Sequence, residues 1–221
     1  MIKTVIQHSL TLLACGISLL FAYMNTLPPT TSASTTPPTP TTLLTAVLSG
    51  LIFSTVILAL PIILKLLSTP HLLKTWFTLP KLTLKKSFIG LGIFLILYLF
   101  TYLIYCVLDP ADVQNNLSFI LLLPEAPKGL IFAIGLFICV LFPLAEELLY
   151  RGILLRAFPP CVGLLASTLL FALAHGINGY LYPILFIGWG FGLLALRTRS
   201  ILPTFLCHAA FNTLNFIFLF I

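Results

Sequence analysis

The chain has 221 residues, of which 11 are Lys or Arg and 5 are Asp or Glu, so charged residues make up 7% of it where a soluble domain carries about 25%. Hydrophobic residues are 60%, mean hydropathy is +1.16, and no Asp, Glu, Lys or Arg occurs between Thr4 and Leu64, which excludes an ordinary soluble fold and predicts an all-α polytopic membrane protein. The net charge of +6 does not point to nucleic acid, because the basic residues stand in short blocks between apolar runs, where the positive-inside rule accounts for them.

A spanning helix needs about 20 apolar residues, and the charges and prolines divide the chain accordingly. The predicted spans are Val5 to Tyr23, Leu43 to Leu64, Ser87 to Leu108, Gly129 to Phe158, Cys161 to His175, Tyr180 to Leu196, and Ile201 to Ile221. The division predicts a bundle of about seven or eight transmembrane helices with a polar intramembrane cavity. The first span follows Lys3 and resembles a signal peptide, with Ser32-Ala33-Ser34 as a cleavage sequence, but it is long enough to remain as an anchor and is read as one. Pro28 to Thr42 is a Thr/Pro/Ser linker that cannot bury a core. The loop from Lys65 to Lys86 places His71, Trp76 and Phe77 among its lysines, a composition suited to an anionic leaflet or simply to a charged loop. Asn116-Leu117-Ser118 in the next loop is a glycosylation sequon of low specificity. Lys3, Lys65, Lys74, Lys81, Lys85, Lys86, Arg151, Arg156, Arg197 and Arg199 fall on one side and only Lys128 on the other. The N-terminus is therefore predicted cytoplasmic, in the plasma membrane if the cell is bacterial. The five cysteines are scattered and without a C-x-x-C pair, so neither a disulfide framework nor a zinc knuckle follows.

Ionisable residues inside spans are expensive and mark function. Glu146 and Glu147 lie in the fourth span with Arg151 four residues on, His175 closes the fifth, and His208 lies in the seventh with Asn212 one turn later. Glu147 and Arg151 at i and i+4 share a face and form a buried ion pair, while Glu146, rotated about 100° away, has no cation partner in its own helix. A desolvated carboxylate left free in this way is suited to act as a general base; alternatively both glutamates are packing glue paired with arginines. Two intramembrane histidines on separate helices favour the hydrolytic reading. Phe171, at i−4 from His175, backs one imidazole, and the Asn212 amide stands beside the other, where neutral donors stabilise an oxyanion.

Glu146-Glu147-Leu148-Leu149-Tyr150-Arg151 reads E-E-x-x-x-R, Phe171 to His175 reads F-x-x-x-H, and His208 to Asn212 reads H-x-x-x-N. In that order, 29 and then 33 residues apart from Glu146 to His175 to His208, they resemble the three motifs of the CPBP family of intramembrane proteases, which includes the type II CAAX prenyl endopeptidase. The resemblance covers about Gly129 to the C-terminus and sets residues 129–221 apart as the catalytic helices from residues 1–128, which carry no matching motif. It implies that Glu146 and His175 activate water, that His208 and Asn212 hold the oxyanion, and that Glu147, Arg151 and Phe171 support them. Glu146, His175 and His208 form either a His₂Glu zinc site or a metal-free one; the residues leave both open. Gly188 and Gly192 form G-x-x-x-G, a helix-packing face. The implied function is an intramembrane endopeptidase acting on a membrane-associated or prenylated protein or peptide, whose partners are that substrate and the lipid bilayer. A non-catalytic scaffold or regulator, a bacteriocin self-immunity protein, and a small proton-relay transporter are the alternatives.

Overall fold

The computed structural model describes residues 11–17, 40–69, 71–77, 127–176 and 181–218, with isolated helical positions between 96 and 107. Every described element is a helix: α1 (11–17), α2 (Pro40–Ser68), the short α3 (Leu72–Trp76), the long α4 (Lys128–Ala157), α5 (Pro160–Ala174), α6 (Leu181–Thr198) and α7 (Leu202–Phe218). Among the described residues, three helices are long and apolar enough to cross a membrane: α2 from Thr45, α4 and α6. Most of the third predicted span, the sequon and the cleavage sequence lie outside the described residues. The last three residues of the predicted linker belong to α2, which opens on Pro40; proline suits a first helical position because the N–H it lacks would have no partner there.

Two punctuation marks set the register of α5. Phe158 is extended (φ −125°, ψ 167°) and Pro159-Pro160 opens the helix, so α4 and α5 form a tight antiparallel pair. Gly163 packs against the Leu155 backbone carbonyl with no room for a Cβ. At the far end, Gly176 adopts φ 99°, a left-handed conformation that glycine takes without steric cost and that commonly ends a helix. With 15 residues, α5 is about 22 Å long at 1.5 Å per residue, shorter than the roughly 30 Å hydrocarbon core. Its final residue therefore stops inside the bundle, near the middle of α4, which removes the depth mismatch that a full-length fifth span would create.

α6 lies closely along α5: Gly188 meets Phe171 and Thr168, and Gly192 meets Leu164, so the G-x-x-x-G face brings the two backbones together. Outward, Val162, Leu165 and Leu169 of α5 and Phe186, Trp189 and Leu193 of α6 are exposed, the apolar exterior that lipid requires. The interior gathers Leu149, Tyr150, Ile153, Leu154 and Phe171 with Leu58 and Ile62 of α2 and Trp76.

Trp76 departs from its expected place. Rather than lying on a leaflet surface, it is 1% exposed, its ring lies over Gly152 so closely that a Cβ there would come within 3.2 Å of it, and its carbonyl accepts the Ile201 N–H at 2.8 Å and the Ser200 hydroxyl at 3.0 Å. A turn of helix between the lysines folds the ring inward, where burying an aromatic surface outweighs leaving it at the interface.

Candidate active site

α4 is not a regular helix. Residues Phe137–Leu141 and Leu148–Leu154 are wound as π-helix, and the two wide stretches flank Glu146-Glu147. Proline explains the first one. Pro143 has no N–H, and its ring crowds the carbonyl one turn back; the helix widens, and the Phe142 N–H reaches to Phe137 O, five residues away. In that register the donor for Ile138 O would come from position 143, which has none. The orphaned Ile138 carbonyl is taken by Asn212 of α7, whose Nδ2 donates to it at 2.9 Å. The Asn212 amide therefore reaches across to α4, not along α7 to His208 as its i+4 spacing suggested. An amide nitrogen carries two hydrogens, so one N–H remains beyond this bond.

Glu146 is 3% exposed and Glu147 fully buried. Glu147 Oε1 accepts from Arg151 Nη1 at 2.9 Å, the ion pair that i, i+4 spacing predicts. It also accepts from His208 Nδ1 at 3.0 Å, a link between motifs that spacing alone did not reveal. Arg151 is held further by Nη2 donating to Gly188 O at 3.2 Å and by its guanidinium lying 4.4 Å over the Phe171 ring and 5.4 Å from Phe191. Buried charges persist when paired and hydrogen-bonded in this manner. Phe191, whose ring also lies 5.2 Å from that of His208, and Gly188 are site residues that the sequence reading placed only in a packing helix.

Glu146 points the other way, towards the two histidines: Oε1 is 3.6 Å from His175 Nε2 and Oε2 is 3.6 Å from His208 Nε2. His175 owes its orientation to the end of α5. Its N–H bonds Ala172 O instead of Phe171 O, which frees the Phe171 carbonyl, and the ring Nδ1 donates to that oxygen at 2.8 Å. A carbonyl only accepts, so Nδ1 carries the hydrogen and a neutral ring presents Nε2 as an acceptor. The Phe171 ring stacks obliquely on His175 at 4.7 Å and edge-on to His208 at 5.9 Å, a wall between the imidazoles and Arg151. The His175 side chain is 30% exposed against 5% for Glu146 and 6% for His208, so the cluster opens at His175.

The zinc reading is not supported by this arrangement. Among the described residues no three His, Cys, Asp or Glu side chains could hold a metal ion.

Residues 128–214 match the family model described as Type II CAAX prenyl endopeptidase Rce1-like. The match begins at the first residue of α4, ends within α7, and contains Glu146, His175, His208 and Asn212. No curated protein and no solved structure matches the chain.

Proposed function

We propose, from the match of residues 128–214 to the Rce1-like type II CAAX prenyl endopeptidase family model, that this integral membrane protein is an intramembrane endopeptidase that cleaves a membrane-associated protein or peptide. The observation that carries the proposal is the pair of acceptors at the open side of the cluster. Glu146 Oε1 and His175 Nε2 are 3.6 Å apart, too far for a good direct hydrogen bond and close enough for one water to donate a hydrogen to each. Such a water keeps its lone pairs turned away from both acceptors and towards a scissile carbonyl. In the reaction the water oxygen bonds to the carbonyl carbon while Glu146 takes a water proton and the carbonyl π electrons move onto oxygen; those electrons then re-form the C=O bond, the C–N bond breaks, and the departing nitrogen takes the proton from Glu146.

That oxygen needs donors. The second Asn212 N–H supplies one, and its direction is fixed because the first is committed to Ile138 O. His208 stands next to Glu146 with its ring set by Glu147; with both nitrogens protonated it donates through Nε2. Glu147 is thus a positioning residue for His208 as well as the partner of Arg151, a larger role than helix support. The basic ends of α2, α4 and α6 face the cytoplasm in this reading, by the positive-inside rule.

The test is cleavage of prenylated C-terminal peptides, alongside a panel of unprenylated membrane peptides, by purified protein in proteoliposomes. Wild type cleaves at least one member, and Glu146→Gln, whose amide cannot take a proton from water, cleaves none while eluting and unfolding as wild type does. Undiminished cleavage by Glu146→Gln removes Glu146 from the mechanism. A wild type inert across the panel favours the scaffold reading.

A further inference from the structure

A cavity lies away from the Glu146 cluster, where α1, the end of α2, α3 and the end of α4 meet. Its volume is about 150 Å³, room for several waters. Lys65 from the last turn of α2 and Arg156 from the last turn of α4 both line it, together with Thr11, and among the described residues no Asp or Glu does. Trp76 and Leu72 provide an apolar wall. Arg156 is anchored by two backbone carbonyls, Nε to Arg151 O and Nη2 to Arg199 O, each at 3.3 Å. Every ion pair among the described residues involves Arg151, His175 or His208 with the two glutamates. Among the described residues neither cation at this cavity has a carboxylate partner there.

Two cations held on separate helices, facing one recess without a counter-ion, form an anion receptor. A recess with an apolar wall at the basic end of a helical bundle is also where the headgroups of anionic lipids bind membrane proteins. We propose that Lys65 and Arg156 bind a phosphate group in this cavity, presented by an anionic lipid headgroup or by a soluble phosphate ester. The shared chemistry is a tetrahedral oxyanion accepting from the Lys65 ammonium and from guanidinium hydrogens of Arg156 that its two carbonyl contacts leave over. Because Arg156 Nε holds the carbonyl of Arg151, an occupant also stiffens the turn that carries the Glu147 partner. This site stands whether or not the chain is a protease.

The test uses full-length protein in a neutral detergent, with thermal unfolding and native mass spectrometry as readouts. Phosphatidylglycerol, phosphatidylcholine and inorganic phosphate are added in separate arms. Phosphatidylglycerol should raise the unfolding midpoint and remain bound as a discrete copy, phosphatidylcholine should do neither, and Lys65→Gln should weaken the anionic lipid by about tenfold. Arg156→Gln should do the same, and Arg156→Lys, which keeps the charge, should recover part of it. Lys74→Gln, at an exposed lysine outside the cavity, serves as the control and should behave as wild type. Midpoint protection by inorganic phosphate matching that of the lipid assigns the site to soluble phosphate esters; protection by the lipid alone assigns it to the headgroup. If Lys65→Gln retains full binding, or if neither the lipid nor phosphate protects wild type, the proposal is wrong. Lys65→Gln decides the matter even if the Arg156 variants fail to fold.

Discussion

The bond between Asn212 and Ile138 predicts a coupling that no ordinary packing contact would show. In wild type, removing the Asn212 amide leaves the Ile138 carbonyl without a donor, since Phe142 is committed to Phe137 and Pro143 has no N–H. An unsatisfied buried polar group costs about 1–3 kcal/mol, and in hydrocarbon there is no water to relieve it; Asn212→Ala should therefore destabilise by roughly that amount. Pro143→Ala supplies an N–H at the position the wide register requires. In that background Ile138 finds a donor within α4, and Asn212→Ala should cost only a few tenths of a kcal/mol, a coupling on the order of 1–2 kcal/mol. The assay is a double-mutant cycle of equilibrium unfolding in mixed micelles, read by tryptophan fluorescence. Equal costs of Asn212→Ala in both backgrounds would refute the account of why α4 widens and what Asn212 holds. Activity adds a second axis. If Asn212 also serves the oxyanion, its loss should lower turnover by about 10²–10³ in either background, whereas Pro143→Ala alone should lower it because Asn212 is no longer tethered. Turnover in Pro143→Ala that matches wild type would show that the tether does not position the donor.

Arg151→Met should destabilise by roughly 3–5 kcal/mol, because it strands the fully buried Glu147 carboxylate, and that is a large share of the 5–15 kcal/mol typical of a folded protein; adding Glu147→Gln should recover part of the loss, and strictly additive costs would argue against the pair. Gly163→Ala drives a methyl into the Leu155 carbonyl and should cost about 1–3 kcal/mol, whereas Gly50→Ala, which meets nothing within 4 Å, should be neutral or stabilising; the two are compared by detergent-resistant folded yield. With no three His, Cys, Asp or Glu side chains grouped to hold a metal ion among the described residues, peptide cleavage should survive exhaustive chelation, and a loss restored by added zinc would reverse that reading.

Much of the site was legible because its chemistry is conspicuous in an apolar chain: a carboxylate pair, two histidines and one asparagine in spans with few other polar groups admit few arrangements. The spacing of Glu147 and Arg151 gave their contact directly. What spacing could not give were the partners chosen across helices. His208 joins Glu147 and Asn212 joins Ile138 because of where backbone carbonyls and buried charges lack other partners, and such vacancies depend on the winding of α4. The sequence did contain the cause of the first π stretch, Pro143, yet read by hydropathy it is only a proline in a long apolar run. Trp76 was misplaced for a related reason. An aromatic among lysines has the composition of an interfacial anchor, and only Gly152, 76 positions on and lacking a side chain, shows that a flat ring was to be accommodated there.

That tryptophan ties two unequal parts of the chain to a common fate. The stretch with family motifs begins at Lys128, but the Trp76 ring seals its π-wound segment at Gly152 and the Trp76 carbonyl receives the backbone entering α7. Cutting before Lys128 would open a ring-sized void and orphan the Ile201 N–H and the Ser200 hydroxyl together. The motif-bearing helices are consequently a poor module for transplantation: grafted onto another protein's leading helices, they would need a flat side chain delivered to the same spot. A leading segment that replaced this one would have to supply that socket as well as the apolar contacts that Leu58 and Ile62 make with the same core.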